Sequence, residues 1–271
     1  MNTYFSTHFS TDFLNMHQEF LKPLLDSYFE KYSLEPLLGG GTDAKLFSIH
    51  TADGNNFVVK IQTQSLQNEY LNYQFLQEKV PVPHIHFYQT WHNQEVLCMT
   101  QVKGKVLGDC IGVLEDIEIV RRYAHALKQL HEIPILNAPI LQSTQEKVME
   151  AGVRVTNQLV DIEDLEEKNQ EIGITDLYKK LCANIPQKAD LVFTHGDYCF
   201  DNLLFDDTKL TGFIDIGRGG IADKYQDIAL AVRSIRGELS EELLPLFFET
   251  YGISEISQEK IDFYLLLDEF F

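Results

Sequence analysis

The chain has few basic residues for its length. Its 271 residues include 22 lysines and arginines against 41 aspartates and glutamates, which gives a formal net charge of −19. A chain this acidic repels polyanions, so we expect neither nucleic acid nor an anionic membrane as a partner. The charge favours a cationic ligand, but an acidic surface that serves only solubility explains the composition equally well.

Cysteine pairs, long apolar runs and internal repeats are missing from the sequence. The four cysteines are Cys98, Cys110, Cys182 and Cys199. They form no Cys-x-x-Cys pair, so we expect reduced, buried thiols in a cytoplasmic protein. We find no basic segment followed by an apolar one at the amino end and no apolar run long enough to span a bilayer. The length suits one large domain or two packed lobes.

The stretch 191–218 carries the strongest functional signal. Three short apolar runs, which predict strands, lie at 191–193, 203–205 and 210–214. The last two flank a polar turn and therefore predict a β-hairpin. Asn202 enters this hairpin and Asp215 leaves it, so both side chains are expected at its open end, next to Asp197.

These three residues suit phosphoryl transfer. That reaction needs an oriented hydroxyl, a base beside it and a divalent metal on the phosphate oxygens. Asp197 would be the base, while Asn202 and Asp215 would supply the oxygen ligands that Mg²⁺ prefers. Protein kinases use the same spacing, Asp-x4-Asn followed by Asp-x-Gly. Aspartates and asparagines also form turns, but that alternative does not explain three matching residue types at strand ends.

The sequence resembles the aminoglycoside 3'-phosphotransferases, the kanamycin kinases. Four segments carry the resemblance: His195-Gly196-Asp197 with Asn202, then 212–218, 222–229 and 264–271. The resemblance implies an α+β, two-lobed, protein-kinase-like fold with ATP between the lobes. It implies a small β-rich lobe over 1–101 and a larger, mainly helical lobe over 102–271. It also implies that ATP and Mg²⁺ serve to phosphorylate the 3'-hydroxyl of an aminoglycoside, which confers antibiotic resistance.

Lys60 is the informative residue of the predicted strand 56–61. Strand alternation places Lys60 and Val58 on one face, opposite Val59 and Ile61. A lysine within an apolar strand must find an anion, unless it reaches solvent from a sheet edge. The family pairs such a lysine with a helix glutamate, which matches Glu69 on a helix predicted over 65–79. The resemblance also implies that Val58 lies against the adenine ring.

Three further positions are assigned to the nucleotide by resemblance. The glycines at 39–41 precede a strand, where they form either a plain turn or a loop whose amides approach phosphate. The resemblance implies that Thr42 contacts the β-phosphate there. It also implies that the backbone of Thr100 and Val102, in an extended connector, binds the edge of adenine.

Acidic positions are the candidates for the substrate. The run 161–168 holds five acids and one lysine, which is typical of a solvated helix face and also of a lid that attracts a polyamine. The family holds drug ammonium groups with acids of this segment, and Glu163 and Glu166 match them. Some members carry two adjacent acids where this chain has Gly237 and Glu238, which implies that only Glu238 makes this contact.

The end of the chain is also acidic. A last helix is predicted from Ser257, and Asp268, Glu269 and the terminal carboxylate of Phe271 crowd its carboxyl end. Negative charges there oppose the helix dipole, so something must offset them. A bound polycation would do so, while an exposed tail would tolerate them. Arg218 would either contact the substrate or brace the metal loop.

Several structural roles are also predicted. We expect 1–38 to be mostly helical, with the first twelve residues disordered. Asp227 is expected to hold the His195 loop through its backbone, and His195 to bond the backbone near Asp215. His131 is expected to cap its helix. That helix should bury one stripe, composed of Ile117, Val120, Tyr123, Ala124, Leu127 and Leu130.

Three rival functions are considered. A kinase of choline, homoserine or a sugar amine would use the same chemistry, but choline calls for an aromatic cage, and the single tryptophan, Trp91, falls in the small lobe. A nucleotide-binding module without catalysis would not need Lys60, Asp197 and Asp215 together. A metal hydrolase would need more His or Asp ligands than His195 offers.

Overall fold

The computed structural model describes residues 19–37, 44–163 and 165–271. These residues group into two compact units. The first comprises the described residues up to Tyr70 together with Pro83–Val102, and the second comprises Leu71–Val82 and Lys103–Phe271. Strands dominate the first unit and helices the second, which confirms the predicted α+β class. None of the described helices combines the length and apolar character needed to cross a bilayer.

The first unit is built on one antiparallel sheet. Its strands are β1 (Tyr32–Leu37), β2 (Lys45–Thr51), β3 (Asn56–Gln62), β4 (Ile85–Trp91) and β5 (Gln94–Thr100). They lie in the order β1-β2-β3-β5-β4. The β2–β3 hairpin turns at Gly54, whose φ of +85° suits a residue without a Cβ. Lys60 therefore lies on a central strand, flanked by β2 and β5.

A helix closes the apolar face of this sheet. Its described part, α1, covers 19–25. It buries Leu21, Leu24 and Leu25 against sheet residues that include Val59 and Ile61. This agrees with the face assigned to those two residues from strand alternation.

The expectation of helix up to residue 38 is wrong for the described residues 32–37. They form strand β1, which pairs with β2 and sets Leu34 opposite Ile49. The exposure of this segment alternates: Ser33 and Glu35 are open to solvent, and Leu34 between them is half-buried. A period of two favours a strand, and the helical spacing of the preceding apolar residues does not continue into it. Residues 1–18 and 38 lie outside the described part.

The second unit contains most of the helices. They are α3 (Asp116–His131), α4 (Thr144–Thr156), α5 (Glu167–Gln170), α6 (Ile174–Ala183), α7 (Tyr225–Glu238), α8 (Leu244–Tyr251) and α9 (Gln258–Asp268). One more helix, α2 (Gln67–Leu76), is divided between the units: its first turn groups with the first unit and the remainder with the second. Ser257 caps α9 by accepting a hydrogen bond from the Lys260 amide, as predicted.

Short strands of the second unit carry the predicted catalytic stretch. They are β6 (Lys105–Val106), β7 (Leu191–Thr194), β8 (Leu203–Asp206), β9 (Lys209–Phe213) and β10 (Gly220–Asp223). β8 pairs with β9 in an antiparallel hairpin that sets Leu203 opposite Phe213. At its open end the Ile214 amide donates to the Asn202 carbonyl at 3.0 Å. The predicted hairpin is therefore present, and its last backbone hydrogen bond joins Asn202 to the residue directly before Asp215.

Three predictions about packing in the second unit need correction. Ile117 is half exposed and Ile119 is fully buried, because the 3.6-residue repeat centred on Tyr123 and Leu127 leaves position 117 at the edge of the stripe. His131 makes no cap, since both of its ring nitrogens bond side chains from other elements. Cys182 is exposed, whereas Cys98 and Cys110 are buried as expected.

Candidate active site

A buried carboxylate holds the loop that follows β7. Asp227, in the first turn of α7, is fully buried. It accepts hydrogen bonds from the amides of His195 (2.7 Å) and Gly196 (2.9 Å). Nε2 of His131 lies 3.0 Å from the same carboxylate. Burial alone would raise the pKa of Asp227, but the hydrogen bond and charge of His131 and the amide of Gly196 hold that pKa below its ordinary value. The predicted role of Asp227 is confirmed.

Gly196 lies at a close approach of two backbone segments. Its φ is +84°, in the left-handed region. A Cβ at this position would collide with the carbonyl of Arg218. The turn between His195 and Asp197 therefore requires glycine for both its conformation and its space.

His195 is a structural residue of this loop. Its Nε2 bonds the Ile214 carbonyl at 2.9 Å, as predicted, and its Nδ1 accepts from the Asp197 amide at 3.3 Å. A ring that donates through Nε2 and accepts through Nδ1 is the neutral tautomer. Both nitrogens are therefore engaged with backbone, which supports the assignment of Asp197 as the base.

Asp197 and Asn202 are in direct contact. Nδ2 of Asn202 donates to the backbone oxygen of Asp197 at 2.8 Å and to its carboxylate at 3.2 Å. Because the amide nitrogen faces Asp197, the amide oxygen is the atom that Asn202 can offer to a metal. Asn202 is buried, and Asp197 is half-buried.

Asp215 follows β9 in an unusual backbone conformation. Its φ is +55°, which aspartate adopts far less readily than glycine. Its amide donates to the hydroxyl of Tyr73 at 3.0 Å. The loop that carries the second metal candidate is thus held through its main chain.

Asn72 fixes the remainder of that loop. It is fully buried, and its Nδ2 donates to the carbonyls of Ile216 (2.9 Å) and Gly219 (3.0 Å). Its Oδ1 is a buried side-chain atom without a hydrogen-bond partner among the described residues. Sequence reasoning missed both Asn72 and Tyr73. Their sequence gives no signal, because α2 also carries the exposed amides Gln67, Asn68 and Gln74, from which Asn72 cannot be distinguished by local pattern.

A pair of tyrosines holds the other end of the catalytic loop. The Tyr123 hydroxyl donates to the Tyr198 carbonyl at 2.8 Å, and the Tyr198 hydroxyl donates to the Tyr123 carbonyl at 2.6 Å. Their rings stack with centroids 4.6 Å apart. Tyr198, also missed from the sequence, therefore ties the residue after Asp197 to α3.

The predicted ion pair of the first unit is present. Nζ of Lys60 lies 2.8 Å from the Glu69 carboxylate, and both side chains are buried. An anion is required for a lysine at this depth, and Glu69 supplies one. Val58 is half-buried on the same strand.

The other nucleotide candidates are only partly described. The Thr100 amide donates to the His84 carbonyl at 2.8 Å, so a contact with adenine would have to come from the carbonyl of Thr100. Val102 is half-buried at the end of the first unit. The glycines at 39–41 and Thr42 lie outside the described residues.

The acidic candidates differ in their surroundings. Glu163 is exposed, and its backbone amide bonds Asp161. Glu166 is paired with Lys168 at 2.5 Å. Glu238 is the last residue of α7, and partial burial raises the pKa of its carboxyl group, with Asp201 contributing. Asp164, within the same acidic run as Glu163, is outside the described residues.

The carboxyl end of α9 does not need an external cation to balance Asp268. Its carboxylate bonds Arg218 at 2.6 Å and Arg233 at 2.7 Å. Burial would raise the pKa of Asp268, but the two guanidinium groups hold it below its usual range. The expectation that something must offset this charge is met by the protein itself, and Arg218 braces Asp268.

Glu269 and Phe271 are placed differently. Glu269 accepts from the Asn169 side chain at 2.6 Å and from the Glu166 amide at 3.3 Å. Burial raises the pKa of Glu269. Phe271 is partly exposed, and its ring lies 5.7 Å from the Arg218 guanidinium. Glu269 thus links α9 to the acidic segment 161–168.

The donor set near Asp197 fits a magnesium ion. Asn202 and Asp215 offer an amide and a carboxylate oxygen, which are the ligands of a hard cation that keeps water or phosphate oxygens in its remaining positions. Within the three described ranges no group of three His, Cys, Asp or Glu side chains is arranged to hold a metal. A metal hydrolase would need such a group.

Comparisons with known proteins identify the family of this chain. A model of the "Phosphotransferase enzyme family" matches residues 34–264. That range is well over half of the chain and includes Lys60, Asp197 and Asp215. The chain therefore belongs to this family of phosphotransferases.

Named relatives narrow the class further. An aminoglycoside 3'-phosphotransferase of Niallia circulans is 37% identical over 73% of this chain and 75% of the relative. One from Enterococcus faecalis is 32% identical over 93% of this chain and 98% of the relative. Within the phosphotransferases, the chain belongs with the aminoglycoside 3'-phosphotransferases.

Solved structures support the fold. The crystal structure of an aminoglycoside 3'-phosphotransferase of type VIII superimposes with a TM-score of 0.81 at 27% identity, covering 94% of this chain and 98% of that one. An aminoglycoside phosphotransferase of Streptomyces rimosus, in complex with ADP and streptomycin, gives a TM-score of 0.76 at 24% identity over 95% of this chain and 98% of that one. The latter likeness shows the fold alone. The predicted kinase-like α+β fold is confirmed.

Replacing the buried Asp227 should destabilise the protein. Asp227→Asn leaves one of the two loop amides facing an NH₂ group and removes the charge beside His131, so we expect a loss of about 3–5 kcal/mol in the free energy of unfolding at pH 7. Urea denaturation measures it. The control, Asp176→Asn, removes an exposed carboxylate that pairs with Lys179 and should leave stability nearly unchanged.

The difference in the free energy of unfolding between wild type and Asp227→Asn should also depend on pH. The folded-state pKa of Asp227 is lowered, so its stabilising contribution is fully present above the unfolded pKa of about 3.9 and disappears as pH falls through the folded value. The gap between wild type and Asp227→Asn should therefore narrow below about pH 4. A gap that stays constant down to the acid unfolding region would contradict the ionised role of Asp227.

A methyl group at position 196 should disturb the catalytic loop. Gly112 has a φ of +77° but open space around its Cβ position, so Gly112→Ala is a matched control that pays only the backbone strain. We expect Gly196→Ala to cost ~2 kcal/mol more stability than Gly112→Ala, because it also collides with the Arg218 carbonyl. Activity should fall at least ~10-fold in Gly196→Ala alone, since Asp197 is displaced. Equal effects of the two variants on melting temperature and kcat would refute this requirement.

Proposed function

We propose that this chain transfers the γ-phosphoryl group of ATP to the 3'-hydroxyl of aminoglycosides such as kanamycin and neomycin, and thereby confers resistance to them. The observation that carries the proposal is the cluster of Asp197, Asn202 and Asp215 at the open end of the β8–β9 hairpin, in a chain of this phosphotransferase family. The relatives named for 3' phosphorylation support the position of transfer.

Asp197 accepts the proton of the acceptor hydroxyl. As the hydroxyl oxygen bonds to the γ-phosphorus, the bond from that phosphorus to the leaving ADP oxygen breaks, and the hydroxyl proton passes to the Asp197 carboxylate. Asn202 donates to this carboxylate at 3.2 Å and so orients it. Positioning and charge stabilisation supply most of the rate enhancement in such a reaction.

Separate residues hold the nucleotide. The amide oxygen of Asn202 and the carboxylate of Asp215 would hold Mg²⁺, which neutralises phosphate charge. Lys60, oriented by Glu69, binds the α- and β-phosphates. Thr42 contacts the β-phosphate.

The adenine of the nucleotide meets a small set of contacts in the first unit. Val58 lies against the ring, and the carbonyl of Thr100 and the amide of Val102 bond its edge. The amide of Thr100 is already engaged by His84, which supports the assignment of its carbonyl.

Acidic side chains bind the ammonium groups of the substrate. Glu163, Glu166, Glu238 and Glu269 are partly or fully open to solvent, and the net charge of −19 attracts a polycation from a distance. Asp268 does not bind an ammonium group directly, because its carboxylate is already paired with Arg218 and Arg233, and it acts by positioning these two residues. Arg218 and Phe271 line the surface next to it. The reaction takes place in the cytoplasm, where ATP is supplied.

A panel of acceptors tests this function. ADP release, measured by a coupled assay, should be fast with kanamycin, absent with an aminoglycoside that lacks the 3'-hydroxyl, and absent with choline or homoserine. Equal turnover of the 3'-deoxy compound would overturn the 3' assignment. Turnover of choline or homoserine instead of kanamycin would make the chain a kinase of a small amine metabolite.

Removal of the base should separate chemistry from binding. Asp197→Asn is expected to lower kcat roughly 10²–10⁴-fold while nucleotide affinity stays within a factor of two or so, because the amide cannot accept the proton. Single-turnover phosphorylation and ATP titration measure the two effects. Asp206→Asn, an exposed acid on the same hairpin, is the control and should behave as wild type. A near-normal kcat in Asp197→Asn would remove this residue from its role.

A further inference from the structure

A small pocket beside the carboxyl end of α9 contains an amine that the proposed reaction does not use. Lys147, from α4, lines it together with Arg218, Asp268 and Phe271. All four residues belong to the second unit. Three of them were assigned to the substrate from the sequence, and Lys147 was not.

The charges around this pocket are unbalanced. Asp268 bonds both Arg218 and Arg233, so its single negative charge is already shared by two guanidinium groups. Lys147 is half-buried, and the described residues give its amine neither a hydrogen-bond nor an ion-pair partner. Lys147 is therefore a third cation in a pocket whose carboxylate, Asp268, is already paired with two guanidinium groups.

Burial, and after it the charge of Arg218, lower the pKa of Lys147, which comes to about 8. The groups that act in the opposite direction are Asp227 on α7, Asp268 on α9 and Glu150 on its own helix. Tyr264, which also lines the pocket, bonds Thr144 and stays neutral because burial raises its pKa. Lys147 is thus the group of this pocket whose charge changes near neutral pH.

We propose that Lys147 is a specificity-determining residue, whose protonated amine repels a substrate ammonium group from the Asp268 end of the binding surface. This inference rests on the proposed function. Aminoglycosides that present a hydroxyl or no charge at this place are favoured over those that present an ammonium group. When Lys147 loses its proton, the discrimination disappears.

The sign of the pH effect follows from the charge. Below about pH 8 Lys147 carries its proton and weakens binding of the ammonium group, and above that pH the neutral amine no longer repels it. Substrate amines titrate in the same range, so a single pH profile does not isolate Lys147. The Lys147→Arg variant keeps its charge, so the difference in KM between it and Lys147→Met at each pH measures the repulsion that the remaining substrate charge still permits.

Three proteins separate the alternatives: wild type, Lys147→Met and Lys147→Arg. Methionine keeps the length without the charge, and arginine keeps the charge at all accessible pH values. At pH 7 the KM for kanamycin should be roughly three- to tenfold lower in Lys147→Met than in the other two, the scale of a screened interaction between nearby unit charges. At pH 9 wild type should approach Lys147→Met, while Lys147→Arg keeps its high KM. Lys180→Met, at an exposed lysine on α6, is the control for loss of overall charge.

The outcomes distinguish this inference from the function on which it rests. A ratio of KM between wild type and Lys147→Met that is the same at pH 7 and pH 9 would overturn the role of Lys147, and so would an equal gain in Lys180→Met. If wild type phosphorylates no aminoglycoside, the proposed function fails. Calorimetric titration of the same variants with kanamycin, without nucleotide, then tests the charge effect through Kd, and identical Kd values would refute it.

Discussion

The geometry of the candidate site depends on one buried anion. Asp227 has no exposure to solvent, yet it remains charged because two backbone amides and His131 surround it. A lone carboxylate at this depth would be costly, so the loop and the carboxylate stabilise each other. Because the hydrogen bonds run to main-chain amides of residues 195 and 196, they fix the path of the chain directly before Asp197.

The remaining supports of the site are neutral and act on the backbone. Asn72 and Tyr73 hold the Asp215 loop through an amide and a hydroxyl, and Tyr198 holds the far end of the catalytic loop. Neutral supports add no positive charge of their own to the site. A site that must attract a divalent cation gains from this arrangement, since a basic residue in the same supporting positions would weaken metal binding.

Local sequence pattern accounts for the parts of this structure that depend on nearby residues. The β8–β9 hairpin follows from two apolar runs around a turn, and the need of Lys60 for an anion follows from its place in an apolar strand, while the choice of Glu69 came from the family resemblance. The charge balance of Asp268 was not predictable in this way. Arg218 lies 50 positions earlier in the chain, and only the packing of α9 against the loop after β9 brings the two together.

Other misses have the same origin. Asn72 bonds carbonyls that are 144 and 147 positions away, and nothing in its neighbourhood marks it as more than a helix residue. The apolar spacing before residue 32 is helical, and extending it predicts a helix over 32–37. The strand that forms there instead depends on pairing with β2, which begins eight residues after the segment ends. Residue types and spacing indicated the roles of Asp197, Asn202 and Asp215, and resemblance to a family added the nucleotide and substrate contacts, but neither gave information about these supports.

The left-handed backbone at Asp215 has an evolutionary consequence. A non-glycine residue with a φ of +55° costs of the order of 1 kcal/mol, which glycine or asparagine at the same place would largely avoid. Selection for thermal robustness alone would therefore drift away from aspartate here. An aspartate at this position is consistent with a need for its carboxylate that outweighs the backbone strain, and a variant line selected for stability without activity would be expected to replace this residue early.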